Sequence, residues 1–180
     1  MTADLGPRYE ALRRELERRV LVIDGAMGTL LQAHGLSEEE YRGERLKDWP
    51  REVKGNHELL NLSRPDVVEA AHREYLEAGA DIVETNTFKA NRISQADYGT
   101  EGLVHDINVA AARAARKAVD AVMAEEPGRQ AWVAGALGPT NKIVAGCMNV
   151  QIGMSGGSVT TGLGADVDLR LRARHREERH

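Results

Sequence analysis

Residues 63–87, SRPDVVEAAHREYLEAGADIVETNT, decide the fold. Ser63 with Asp66 three positions on has the form of a helix start, Pro65 suits a first turn, and Gly79 suits a stop. Between them Val67, Val68, Ala71, Tyr75 and Ala78 recur at helical spacing, which predicts a helix with one apolar face. Ala80-Asp81 then leads into Ile82-Val83, a short β-branched run ending in the polar cluster Glu84-Thr85-Asn86-Thr87. A helix that delivers the chain into a buried strand is half of a parallel strand, helix, strand unit, and the same alternation is expected on either side.

Upstream, Val20-Leu21-Val22-Ile23 is apolar without alternation, the pattern of a strand covered on both faces, and it ends at Asp24-Gly25. Tyr9, Leu12 and Leu16 before it predict an amphipathic helix over 7–19 with one buried stripe. Downstream, Leu103, Ile107, Ala110, Ala114, Ala118 and Val122 mark the buried face of a long alanine-rich helix that stops at Pro127-Gly128. Trp132 to Ala136 then reads as a third strand, closed by the turn Leu137-Gly138-Pro139-Thr140. Residues 35–58, polar and interrupted by Pro50 and Gly55, read as a long irregular connection. The expectation is an α/β fold with parallel strands near 20–23, 82–85 and 132–136, right-handed crossovers and helices on one outer side. The pattern stops at Lys142. Residues 153–164 are rich in glycine and 170–180 in Arg, Glu and His, so the expected division is a domain over 1–142 and a solvated tail over 143–180.

The totals narrow the function. The 180 residues, 42% of them hydrophobic, suffice for one domain with a core. A formal net charge of -4 offers no general attraction for nucleic acid. No stretch reaches the roughly 20 apolar residues that span a bilayer, and the charged N-terminus lacks a signal-peptide core, so a cytoplasmic protein is expected. The single cysteine, Cys147, can form neither an internal disulfide nor a cysteine-rich zinc site. Neither G-x-G-x-x-G nor a P-loop occurs, which removes the dinucleotide and nucleotide readings. His57, His72 and His105 lie too far apart for a local metal motif, and Arg13-Arg14 and Arg18-Arg19 read as a solvated helix face.

In parallel α/β folds the carboxyl ends of the strands face the ligand. Asp24-Gly25-Ala26-Met27-Gly28 sets a carboxylate beside a glycine turn whose N–H groups can receive an anion, a pairing that suits a zwitterionic amino acid; a simple capping Asp is the alternative. Glu84, Thr85, Asn86 and Thr87 offer a carboxylate, two hydroxyls and an amide to a small polar ligand, or else hydrogen bonds that hold the strand ends together. The Gly138-Pro139-Thr140 turn is close enough in the pattern to line the same mouth.

Three segments, VLVIDGAMGTLLQ at 20–32, NHELLNLSRPDVVEAAHREYLEAGADIVETNTFKAN at 56–91 and VAGALGPTNK at 133–142, occur in order and each ends a strand. Together they resemble the homocysteine S-methyltransferase family, in its cobalamin-dependent methionine synthase branch. The resemblance implies a (β/α)8 barrel of which this pattern supplies the first three units, incomplete because a whole barrel takes about 250 residues. It implies that Asp24 binds the amino group of homocysteine, that the Gly25-Ala26-Met27 backbone receives its carboxylate, and that Glu84 to Thr87 line the pocket. It also implies a zinc ion held by three cysteine thiolates from later strands, which activates the homocysteine sulfur for methylation to methionine. None of those cysteines is present, nor is a second acidic pocket residue from a strand beyond the third. Cys147, in Ala145-Gly146-Cys147-Met148-Asn149, falls outside the ligand motifs. The expectation is thus a truncated or frameshifted family member, inactive alone and holding neither zinc nor cobalamin. Its partners would be homocysteine and either the missing barrel half or downstream folate and cobalamin domains. The alternative is a non-catalytic amino-acid-binding or complementation fragment.

Overall fold

A computed structural model of the chain describes residues 6–140. The decisive stretch folds as its spacing predicts. Helix α5 (Pro65–Glu77) carries Pro65 in its first turn and is followed by Gly79 at φ 104, a left-handed value that glycine adopts without strain. Its start differs from the reading above. Ser63 closes a short preceding helix, α4 (Leu60–Ser63), with its hydroxyl turned back to Leu59 O, and Arg64 holds the N-cap position without a side-chain cap. The cause is Pro65, which disfavours helical geometry in Arg64 and so breaks the chain there rather than at Ser63. Asp66 is engaged by the Arg64 guanidinium at 2.8 Å. The buried face consists of Val67, Val68, Ala71, His72 and Leu76; Ala78, expected inside, is exposed.

Strands β1 (Ile82–Glu84) and β2 (Trp132–Ala134) pair in parallel with Val83 opposite Val133. Between them runs α7 (Val104–Glu125), whose inward side is mostly alanine: Ala111, Ala114, Ala115 and Ala118 join Ile107, Val119 and Val122, while Ala110 is only partly buried. Those small side chains let α7 lie close to α5 and the sheet. Leu76, Val83, Ala115, Val119, Val122 and Ala131 form the core beneath the strands.

The first strand expected, 20–23, is reduced to one parallel bridge between Ile23 and Ile82. Val20, Val22 and Ile23 are 86%, 54% and 51% exposed, so the both-faces-covered reading fails among the described residues: the segment has β1 on one side and no layer over its side chains. Asp81 holds it instead. Its carboxylate accepts a two-armed ion pair from Arg19, both contacts at 2.8 Å, and a hydrogen bond from Val22 N–H. Helix α1 (Gly6–Leu16) buries no residue, so the Tyr9, Leu12, Leu16 stripe is not the core face it was expected to be.

Residues 35–58 are a packed element rather than an irregular connection. Ser37 and Glu40 form a reciprocal capping box at the start of α3 (Glu38–Arg42). Glu38 accepts from the N–H groups of Val53 and Lys54, and Arg42 donates to Trp49 O. Tyr41, Leu46 and Val53 are thereby buried against Leu31, Leu59, Leu60 and Val68. Among the described residues the result is a helix-rich α/β unit with a short parallel sheet and no helix long and apolar enough to cross a membrane. The expected boundary at 142, the tail over 143–180 and Cys147 lie outside the described residues.

Candidate functional site

A cavity of about 420 Å³ opens at the carboxyl ends of the strands. Its wall contains Gly25, Ala26, Met27 and Gly28 from the first strand's turn and Glu84, Thr85, Asn86 and Thr87 from the end of β1. Seven of the eight residues singled out from sequence therefore meet on one wall. The eighth, Asp24, lies immediately behind it.

Asp24 is 9% exposed. Its Oδ1 accepts from Glu84 N–H at 3.0 Å, which ties the first segment to the end of β1, while Oδ2 is buried without a hydrogen-bond partner. Burial, together with the nearby Glu84 carboxylate and despite the Glu84 N–H, lifts the acid from 3.8 to about 6. A half-satisfied buried carboxylate is costly, and one perturbed by burial beside a cavity is a candidate functional group. The glycine turn after it is tight: Met27 N–H bonds back to Gly25 O at 2.6 Å and is spent, whereas the N–H groups of Gly25 and Ala26 have no partner among the described residues. The backbone receptor read from the sequence is thus narrower than Gly25-Ala26-Met27.

The hydroxyls and amide of the second cluster are largely consumed internally. Ala136 N–H donates to Thr85 Oγ1 at 3.1 Å, and Thr87 Oγ1 donates to Ala136 O at 2.7 Å. The Thr85 and Thr87 oxygens are 2.7 Å apart, so the Thr85 proton completes a one-way ring through Ala136. Asn86 donates to His57 O at 2.8 Å and accepts from Asn61 through its own carbonyl at 2.8 Å. These three side chains hold the mouth in shape. Glu84 is the member left exposed on the wall.

After β2, Gly138 packs on the loop after β1, but the cavity wall takes only Ala136 from this part of the chain. Gly138 N–H bonds to Phe88 O at 3.0 Å, and a Cβ at Gly138 would stand 2.5 Å from that oxygen, so only glycine fits.

The sequence reading missed three ionisable wall residues, His57, Glu58 and Lys89. Their neighbourhood is built from distant parts of the chain. Asn56 and Gln95 exchange side-chain amide bonds of 2.8 and 3.1 Å, Gln95 also donates to Lys89 O, and Glu58 Oε1 accepts from Lys89 N–H at 2.9 Å. The His57 ring stands with Nδ1 2.7 Å from the buried Tyr41 hydroxyl, and burial lowers its pKa from the usual 6.5. No local signal reveals this, because Tyr41 and His57, Glu58 and Lys89, and Asn56 and Gln95 are separated by 16, 31 and 39 positions. Among the described residues no three His, Cys, Asp or Glu side chains are placed to hold a metal ion.

Fold and site together define a parallel α/β domain with a cavity at its strand ends. The chain belongs to the homocysteine S-methyltransferase family, a family of methyl-transferring enzymes whose profile matches residues 21–177. That match runs past Lys142, where the motif pattern ends. Among solved structures it is similar to the homocysteine methyltransferase MmuM from Escherichia coli, in its metallated and oxidized forms. Identity is 27% and the TM-score 0.56 in both cases, over 71% of this chain. The chain covers 41% and 40% of those proteins, about two fifths of their length.

Proposed function

We propose that these residues form the amino-acid-binding part of a homocysteine S-methyltransferase of the methionine synthase type, the opening βα units of a (β/α)8 barrel. The observation that carries the reading is Asp24: a nearly buried carboxylate with one oxygen fixed by Glu84 N–H and the other unpaired, next to a cavity whose wall has free backbone N–H groups. An α-ammonium group satisfies the idle oxygen and removes the charge penalty once the wall in front of Asp24, which seals that oxygen, gives way to it, and Glu84 adds a second negative charge on the same side. The substrate carboxylate falls toward Gly25 and Ala26. In this reading the chain's residues bind and orient homocysteine, with its sulfur directed away from the Asp24 corner.

Family resemblance also implies zinc held by three thiolates, and a methyl group delivered from a corrinoid on other domains. The residues present do not fit that metal, since the sequence contains one cysteine. No step through zinc or cobalamin is assigned to these 180 residues, and the methyl transfer requires ligands supplied from elsewhere. The exposed Val20, Val22 and Ile23 favour a second reading that is compatible with the first, in which a partner bearing further strands covers the first segment. Calorimetric titration with L-homocysteine tests the main reading. Asp24→Asn is expected to weaken binding about tenfold or more, as for loss of a charge-assisted hydrogen bond, and unchanged affinity in a folded variant would remove the assignment.

A further inference from the structure

We infer that His57 is a specificity-determining residue of this cavity, presenting its Nε2–H beside the Lys89 ammonium to the carboxylate of the bound amino acid. The inference rests on the amino-acid reading of the site given above, and it adds a recognition element that the sequence motifs do not contain.

The tautomer follows from the neighbours. The Tyr41 oxygen lies 2.7 Å from His57 Nδ1. In the proposed tautomer the phenol, the better donor of the two, gives its proton to Nδ1, and a neutral ring then carries its own proton on Nε2. Burial, assisted by the Lys89 charge, outweighs the opposing pull of Glu58, lowers the ring's pKa from 6.5 and so favours its neutral form. His57 is therefore a donor and not a base for the thiol. Tyr41, only 3% exposed and part of the core, is its positioning residue.

Nε2 has no hydrogen-bond partner among the described residues, yet it is not one of the sealed, unpartnered atoms, so it opens to the cavity that His57 lines. Its place along the wall is also fixed. A Cβ on Gly28 would stand 3.7 Å from His57 Cδ2, the atom next to Nε2, so the donor flanks the same glycine turn as the free N–H groups of Gly25 and Ala26. Lys89 is tied to the His57 turn through Glu58 and through the Asn56–Gln95 amide pair. The site thus carries both signs: Glu84 and Glu58 on the wall and Asp24 behind it are acidic, while His57, Lys89 and the N–H groups of Gly25 and Ala26 can serve an anion. An α-amino acid carries two opposite charges on one carbon, whereas a simple amine or a simple acid satisfies only one of the two sets.

The test compares three thiols on the 180-residue chain: L-homocysteine, 3-aminopropane-1-thiol, which lacks the carboxylate, and 4-sulfanylbutanoic acid, which lacks the amine. His57→Ala is expected to weaken homocysteine and the acid about tenfold or more, the cost of a lost hydrogen bond to a charged group, and to leave the aminothiol unchanged. His57→Gln, which keeps a donor at a similar reach, is expected to retain most of the affinity. Nitrogen-15 spectra of labelled histidine should show His57 protonated at Nε2 in the unliganded chain, with Tyr41→Phe mixing the tautomers. An equal loss for all three thiols, or none for homocysteine, overturns the inference, as does a ring protonated at Nδ1. Homocysteine binding that depends on Asp24 but not on His57 defeats this inference alone; a wild-type chain that does not bind homocysteine defeats both it and the site reading.

Discussion

Asp24→Asn should move stability and affinity in opposite directions. The side chain keeps its shape and its acceptor for Glu84 N–H, but it no longer buries a charge beside a second carboxylate. An acid held at about 6 in the folded chain against 3.8 otherwise binds a proton more readily folded than unfolded between those two values. Its stabilising contribution is therefore full below about 3.8 and lost as pH rises through about 6. The ceiling on this penalty is about 3 kcal/mol, and solvent in the adjoining cavity lowers the expectation to roughly 1–2 kcal/mol. Urea unfolding of both proteins at pH 4 and pH 7.5 reads the difference directly. The variant should match wild type at the acid end and exceed it at pH 7.5, while homocysteine affinity at pH 7.5 drops about tenfold or more. A pH-independent loss of stability would refute the reasoning, because it would make Asp24 an ordinary structural acceptor.

Glu84→Gln should weaken homocysteine less than Asp24→Asn does, since Glu84 is exposed on the wall, and parallel titrations compare them. Thr85→Val opens the ring through Ala136 and should cost about 1–2 kcal/mol, visible in melts and as faster hydrogen exchange at Ala136 N–H. Gly138→Ala places a methyl group against Phe88 O and should lower the melting temperature while reshaping the cavity mouth. His72 is fully buried with both ring nitrogens unpaired, and burial depresses its pKa to about 4. Its contribution to stability is present above about 6.5 and lost as pH falls toward about 4. His72→Leu should abolish that acid-side loss in urea melts performed between pH 4 and 7.

What could be read in the sequence was whatever local spacing controls. Pro65 and Gly79 frame α5, the alanine repeat marks α7, and the clusters after Ile23 and Val83 meet at one cavity with Ala136 because parallel strands put their carboxyl ends together. The first strand is parallel to β1 as expected but short, and its cover was misread because Val20 to Ile23 has a composition that asks for cover, while cover is supplied by other parts of a fold and not by the segment itself. The Ser37 and Glu40 capping box stood in plain view at the standard spacing, and the polarity of the surrounding residues concealed it. His57 and Lys89 belong to a third category. They are brought together by amide pairs and a buried tyrosine that join remote positions, and no window of sequence contains that information.

The Asp81 clamp has a consequence for how the sheet comes apart. Apolar contact of the kind that joins α5, α7 and β1 weakens on cooling and responds little to simple salt, whereas an ion pair whose arginine is 44% exposed is screened by it. The segment around Val20 to Ile23 is attached by that ion pair and by hydrogen bonds to Asp81, Ile82 and Glu84, and very little by apolar contact. Moderate salt at room temperature should thus loosen this edge before the two-strand body, so that proteolysis within 18–23 responds to ionic strength more than to global stability.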